Sequence, residues 1–247
     1  MQIDILIFIV FILSFSIQLA YQWLVFARFA FYKPKRNKNK TASVSVIIVA
    51  RNEYHNLINT LEPILNQDYL DYEVVVVNDN SDDDTHYFLK ELSKKYINLK
   101  VVQIEQNLNF FNGKKFPLSI GIKSASHDTL LLTEADCEIP NKHWISDMQE
   151  AFQDKTQIVL GFGTYKTDKG LLNMLIRFDA FLVAMNYFSF ALARIPFMGV
   201  GRNLAYSKAL FYQKNGFINH LNINAGDDDL FINNVANKEN TEICIAP

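Results

Sequence analysis

The chain has 247 residues, 49% of them hydrophobic, enough to bury one substantial core. Lys and Arg number 24 against 26 Asp and Glu, a formal net charge of -2, so no charge excess points to a nucleic-acid partner. Neither of the two cysteines, Cys137 and Cys244, lies in a CxxC or His-rich spacing, which argues against a zinc site or a disulfide framework and fits a reducing compartment.

Residues 5–27 carry no charge. At 1.5 Å per residue a helix of that length reaches roughly 34 Å, enough to cross a hydrocarbon core of about 30 Å. The run is too long for a signal-peptide core and no small-x-small cleavage pattern follows, so residues 1–32 are expected to form a transmembrane anchor. Lys33, Lys35, Arg36, Lys38 and Lys40 follow it in a basic linker, residues 33–42. Such a flank stays on the cytoplasmic side, which places the remaining residues, 43–247, at the cytoplasmic face of the cell's inner membrane.

After the linker the period changes. The β-branched run at 44–49 predicts a strand buried on both faces, and Leu57, Leu61, Ile64 and Leu65 predict a helix over 56–67. A second buried strand is expected at 73–78. Side chains of residues 81–84 are expected to cap a helix running through Leu92 and Tyr96, followed by a third strand at 99–104. A helix over 116–124 and a fourth strand at 129–133 complete an α/β alternation that demands a mainly parallel sheet with right-handed crossovers. Residues 171–198 are apolar and aromatic, interrupted by Arg177, Asp179, Arg194 and Pro196, charges that disfavour a second membrane span. Two readings stay open there, a helix lying in the membrane interface and an ordinary core helix. A last strand is expected at 242–245.

In open parallel sheets ligands bind beyond the carboxyl ends of the strands, where Arg51, Asn52, Glu53, Asp79 and Asp136 all fall. The first strand ends in Ala50-Arg51-Asn52-Glu53 without GxGxxG, which disfavours a dinucleotide enzyme. The absence of a glycine-rich phosphate loop also disfavours a nucleotidyltransferase. Asp79 closes the second strand, and the acids at 82–84 read as helix-start residues. Glu134 and Asp136 lie two positions apart at the end of the fourth strand. Such a pair needs a compensating cation, and a hard divalent ion held by carboxylates, water and substrate phosphates meets that need. A solvated turn is the plainer alternative. Gly226-Asp227-Asp228-Asp229 opens an apolar helix, and a carboxylate among other acids in a dry site can serve as a general base. Residues 199–203, GVGRN, add a close-approach turn with a fixed cation, Arg202.

The order of these motifs resembles glycosyltransferase family 2, from residue 43 onward. VSVIIVARNE is similar to that family's opening strand and nucleotide-binding turn, and VVVVNDNSDD to its second nucleotide-binding strand. Gly113-Lys114-Lys115 followed by TEAD is similar to its glycine-lysine segment and DxD-type metal motif, with Glu134 in place of the first Asp. GVGRN and GDDDL resemble its acceptor-side segment and catalytic acid motif. The resemblance implies a GT-A domain, Rossmann-like, behind the membrane anchor, that inverts the configuration of a sugar moved from a nucleotide-diphosphate donor, UDP-linked by analogy. It implies Mg²⁺ or Mn²⁺ on Asp136, and donor contacts from Arg51, Glu53, Asp79, Lys114, Glu134 and Arg202. The base is Asp228 when the glycine-acid-acid unit is aligned and Asp227 when the downstream leucine is aligned, with Asp228 preferred. A lipid-linked or polysaccharide acceptor in envelope synthesis is expected. The Gln-x-x-Arg-Trp motif of processive members is absent, and the chain is expected to be truncated after Ala246-Pro247, since relatives with this layout continue into further membrane helices. A membrane-tethered donor-binding module without activity is the rival of another class.

Overall fold

The computed structural model describes residues 2–34, 36–37, 41–105, 113–139, 141–220, 223 and 225–245. Of the basic linker, Lys35, Lys38 and Lys40 lie outside the described residues, as do Ala246 and Pro247.

The uncharged N-terminal run is helical: α1 (Gln2–Tyr21) passes through a π-helical turn, Gln22–Phe26, into α2 (Ala27–Ala30). Side chains along it, from Ile3 to Leu19, are exposed. Its far end docks on the rest of the chain, where Phe29 stacks on Phe188 at 5.8 Å and Tyr21 meets Phe190 at 6.3 Å. Arg36 does not float as a solvated linker residue. It reaches Asp147 at 3.4 Å and Glu150 at 3.7 Å.

Among the described residues, seven strands form one sheet in the order β3-β2-β1-β4-β6-β5-β7. They are β1 (Val44–Ala50), β2 (Tyr72–Asp79), β3 (Leu99–Ile104), β4 (Thr129–Leu132), β5 (Ile158–Leu160), β6 (Leu204–Ser207) and β7 (Thr241–Ile243). The half built by β3, β2, β1 and β4 is parallel, with Val44 opposite both Tyr72 and Thr129. The expected strands are all present, within two residues of their predicted ends. The sheet then reverses. β6 runs antiparallel to both β4 and β5, and β7 returns parallel to β5.

Between strands lie α3 (Tyr54–Leu65), α4 (Thr85–Lys95), α5 (Lys115–Ser124), α6 (Trp144–Glu150), α7 (Leu171–Leu192), α8 (Lys208–Gln213) and α9 (Asp229–Val235). The expected four-residue cap on α4 narrows to one side chain: Asp83 Oδ1 accepts from Thr85 N, while Asp84, at the N-cap position, caps with backbone alone. Leu57, Leu61 and Ile64 of α3 seal one face of the sheet against Val46, Ile48, Val74 and Val76. On the other face, α5, α7, α8 and α9 pack over Ile47, Val75, Leu130 and Tyr206. A Cβ at Gly121 of α5 would lie 2.9 Å from both Ile47 Cγ2 and Val77 Cγ2, so α5 sits directly on β1 and β2.

The two readings of the 171–198 segment divide along one helix. The first half of α7 leaves Leu171, Leu172, Met174, Leu175, Phe178 and Phe181 exposed, whereas Ala184, Tyr187, Phe188 and Ala191 are core. By length and composition alone, Ile3–Ala30 and Leu171–Leu192 each suffice to cross a membrane, the second despite the charges expected to disfavour it.

Candidate active site

The carboxyl ends of β1, β2 and β4 open on one side of the sheet, and the chain leaves each through a polar turn. Asn52 and Asn80 take left-handed backbone, at φ 58° and 49°, a region Asn tolerates better than most residues. The two turns are laced together: Asn52 N donates to Ser81 Oγ at 2.9 Å and Asp82 N donates to Asn52 Oδ1 at 2.8 Å. Asp83 Oδ2 accepts from Tyr54 N at 3.1 Å, so this acid is structural, as the sequence suggested. Arg51 and Asp79 face each other across the turns at 3.9 Å. Glu53 precedes α3 and accepts from Asn56 Nδ2 at 2.6 Å.

After β4 the chain turns through Glu134, Asp136 and Cys137, and one ligand atom from each lies within 4.8 Å of the others. Thr60 of α3 donates to Ala135 O at 2.7 Å and holds that turn from below. Cys137 matches no metal-binding spacing in the sequence and joins this cluster only through the turn. Burial, with the charges of Asp136 and Glu134, pushes its thiol up. Glu134 carries its own counter-charge: Lys114 Nζ donates to Glu134 Oε1 at 2.8 Å, with both side chains about a third exposed.

The second acid cluster reaches the same place from the far half of the sheet. Gly226, at φ 88°, makes the left-handed turn that leads into α9; a Cβ there would strike the Leu230 side chain. Asp228 caps α9, its Oδ1 accepting from Asp229 N at 2.7 Å and its Oδ2 from Gly201 N at 2.8 Å. The GVGRN turn therefore touches the acid motif through a backbone donor rather than through Arg202. Arg202 instead lies over the Tyr165 ring, 4.5 Å from its centroid. Asn203 binds Trp144 Nε1 and Phe162 O, a structural role. Asp227 is half-buried, and desolvation first, then the charge of Asp228, pushes its carboxyl up; the charge of Lys114 opposes the shift and that of Glu134 adds to it. The charges of Lys114 and Glu134 both act on the Asp227 carboxyl, and Lys115, next to Lys114 in sequence, bonds the carbonyl of Ala225 two residues before it.

Beside this site, α7 and the segment after β5 enclose a cavity of about 400 Å³ lined by Phe162, Tyr165, Val183, Tyr187, Val200 and Arg202 among others. Lys115, to which the sequence pattern assigns no role, is 3% exposed, and its Nζ donates to Ile223 O and Ala225 O, each at 2.8 Å. The available signal was its position. A cation in the first turn of a helix opposes the helix dipole and needs another reason to be there.

Residues 45–213 match the family described as Glycosyl transferase family 2. Among curated proteins the chain is similar to a 4,4'-diaponeurosporenoate glycosyltransferase of Staphylococcus haemolyticus, 31% identical over 121 residues, 49% of this chain and 31% of the relative. It is also similar to a poly-beta-1,6-N-acetyl-D-glucosamine synthase of Staphylococcus epidermidis, 28% identical over 139 residues, 52% of this chain and 32% of the relative. The chain thus spans about a third of the length of these relatives. Among solved structures, the mannosyltransferase PcManGT of Pyrobaculum calidifontis, in complex with GDP-Man and Mn²⁺, superposes with TM-score 0.68 at 18% identity, covering 94% of this chain and 66% of that one. TarS of S. aureus in complex with UDP superposes with TM-score 0.58 at 20% identity, covering 81% of this chain and 57% of that one. These likenesses establish a GT-A fold.

Proposed function

This chain belongs to glycosyl transferase family 2, and from that premise we propose that it moves a sugar from a nucleotide-diphosphate donor to an acceptor hydroxyl, with inversion at the anomeric carbon. The observation that carries the reading is the approach of the acid loop, through the Lys115–Ala225 bond, to the Lys114–Glu134 pair at the end of β4. Donor-side groups and a base must lie together for a one-step displacement.

The residues present fit a hard divalent cation. Glu134 and Asp136 offer carboxylate oxygens close enough to share an ion, and carboxylates suit Mg²⁺ or Mn²⁺. Asp136 is the preferred ligand, and an ion bound there would offset charge on the departing nucleotide diphosphate. Arg51, Glu53 and Asp79, at the ends of β1 and β2, are assigned to the nucleoside, and Lys114 and Arg202 to the diphosphate and sugar. A nucleotide-sugar donor is in keeping with the GDP-Man and UDP bound by PcManGT and TarS.

Asp228 takes the proton of the acceptor hydroxyl. Its carboxylate is held by two backbone N–H groups, yet each oxygen retains a lone pair, so the group is oriented without being used up. Asp227 is the alternative base, set apart by its raised pKa. General-base help of this kind is worth about 10²- to 10⁴-fold in rate. The apolar wall of the cavity under α7 suits an acceptor with a lipid portion. The exposed apolar side chains of α1 and of the first half of α7 support anchoring at a membrane; the basic flank after residue 32 assigns residues 43–247 to its cytoplasmic face, and the product is an envelope glycan or glycolipid. Nucleotide release measured for Asp228→Asn and Asp227→Asn tests the assignment. A fall of about 100-fold or more in the first is expected; wild-type turnover in both would remove the base from this pair.

A further inference from the structure

Lys114 and Lys115 are adjacent, and their ammonium groups take different partners. Lys114 turns to Glu134 of the β4 acid motif, whereas Lys115 runs inward, 3% exposed, to the carbonyl oxygens of Ile223 and Ala225. Those two residues stand on the approach to Gly226 and the acid pair.

Burying an ammonium is costly unless its donors are satisfied, and here the charge also stands in the first turn of α5, where the helix dipole disfavours it. Local preference therefore opposes Lys115 twice. Among the described residues it gains charge-assisted bonds to Ile223 and Ala225, more than a hundred residues away in sequence. α5 in turn is fixed, because at Gly121 its backbone lies against Ile47 of β1 and Val77 of β2 with no room for a side chain. The strap thus runs from the sheet half whose strand ends carry Arg51, Asp79 and Glu134, through a rigid helix, to the turn that presents Asp227 and Asp228.

We infer that Lys115 is a positioning residue that sets the place of the Asp227–Asp228 pair relative to the donor-side groups. The inference rests on the glycosyl-transfer reading above. Lys115 touches neither nucleotide nor acceptor in this account; it acts through the loop.

The test compares Lys115→Met, which keeps the stem and removes the ammonium, with Lys123→Met at the exposed end of the same helix, both in the full-length detergent-solubilised protein. Misplacing a reacting group by about 1 Å costs about 100-fold, so Lys115→Met is expected to lower kcat by about 10- to 100-fold while the donor KM stays within about threefold. Hydrogen exchange of the backbone amides at 226–229 is expected to speed up in Lys115→Met and to stay unchanged in Lys123→Met. A Lys115→Met protein with wild-type kcat, with wild-type exchange at 226–229, or with donor KM impaired in step with kcat would overturn the inference. Should Lys115→Met fail to fold, Lys115→Arg, which keeps charge and donors, is read by the same exchange: protection retained at 226–229 supports the strap and protection lost overturns it. If the wild-type protein releases nucleotide from no donor, it is the transfer reading that fails, and exchange at 226–229 alone then decides whether Lys115 holds this loop.

Discussion

Replacing Asp228 separates its two roles, because the same carboxylate that is assigned to catalysis also closes two backbone bonds. Asp228→Ala removes the N-cap of α9, at about 1 kcal/mol. It also strands the N–H of the buried Gly201, at about 1–3 kcal/mol. The sum is about 2–4 kcal/mol, a drop on the order of 5–15 °C in the unfolding midpoint for a chain of this size. Asp228→Asn keeps an oxygen that can cap but turns a donating NH2 toward the Gly201 N–H, so only the cost of that stranded donor, about 1–3 kcal/mol, is expected. Both variants should lose about 10²- to 10⁴-fold in turnover. Thermal unfolding in detergent, followed by circular dichroism, reads the first quantity and nucleotide release reads the second. The reasoning is refuted by an Asp228→Ala protein that unfolds with the wild type, or by an Asp228→Asn protein that turns over with it.

Other outcomes follow from the packing and the charges. Gly121→Ala places a methyl group 2.9 Å from Ile47 and Val77, and overpacking of about 1–3 kcal/mol should show as a lower denaturant midpoint; an unchanged midpoint would contradict the seating of α5 on β1 and β2. Asp227 is raised from 3.8, so the folded state binds its proton more tightly than the unfolded one does. Its contribution to stability is therefore greatest below the unfolded value and declines as pH rises through the raised one. Unfolding midpoints from acid to neutral pH should fall less steeply in Asp227→Asn, which should be the more stable protein at neutral pH; parallel curves would dismiss the shift. Lys114→Met should weaken metal-dependent nucleotide binding by about tenfold, about 1.4 kcal/mol, in a calorimetric titration, and an unchanged affinity would take Lys114 out of the donor site.

The parallel half of the sheet was legible because its strands are unbroken β-branched runs and its helices carry apolar residues at helical spacing. The far half was less so: β5 and β7 are three residues each and β6 is four, too short to show a period, and only pairing in space reveals that β6 reverses the sheet. The site followed the same division. Arg51, Glu53, Asp79, Glu134 and Asp136 are placed by strand ends, and strand ends can be read. Asp227 and Asp228 are set by the topology of β6 and α9, which brings Asp227 under the charges of Lys114 and Glu134 and which local pattern does not encode. Arg36 falls in the expected linker and is docked on α6; Lys115, to which the sequence pattern assigns no role, is buried against the acid loop. A charge whose partner lies far away in sequence carries no local mark of it.

The measurement that bears most directly on the account is release of nucleoside diphosphate from a panel of nucleotide-diphosphate sugars, with and without Mn²⁺, by the detergent-solubilised protein and by Asp136→Ala. The account predicts release from one donor, dependent on the metal and lost in Asp136→Ala. Release that needs no metal and survives Asp136→Ala would contradict the assignment of the β4 acids, and failure of the wild-type protein to bind any nucleotide, with or without metal, would contradict the donor site itself.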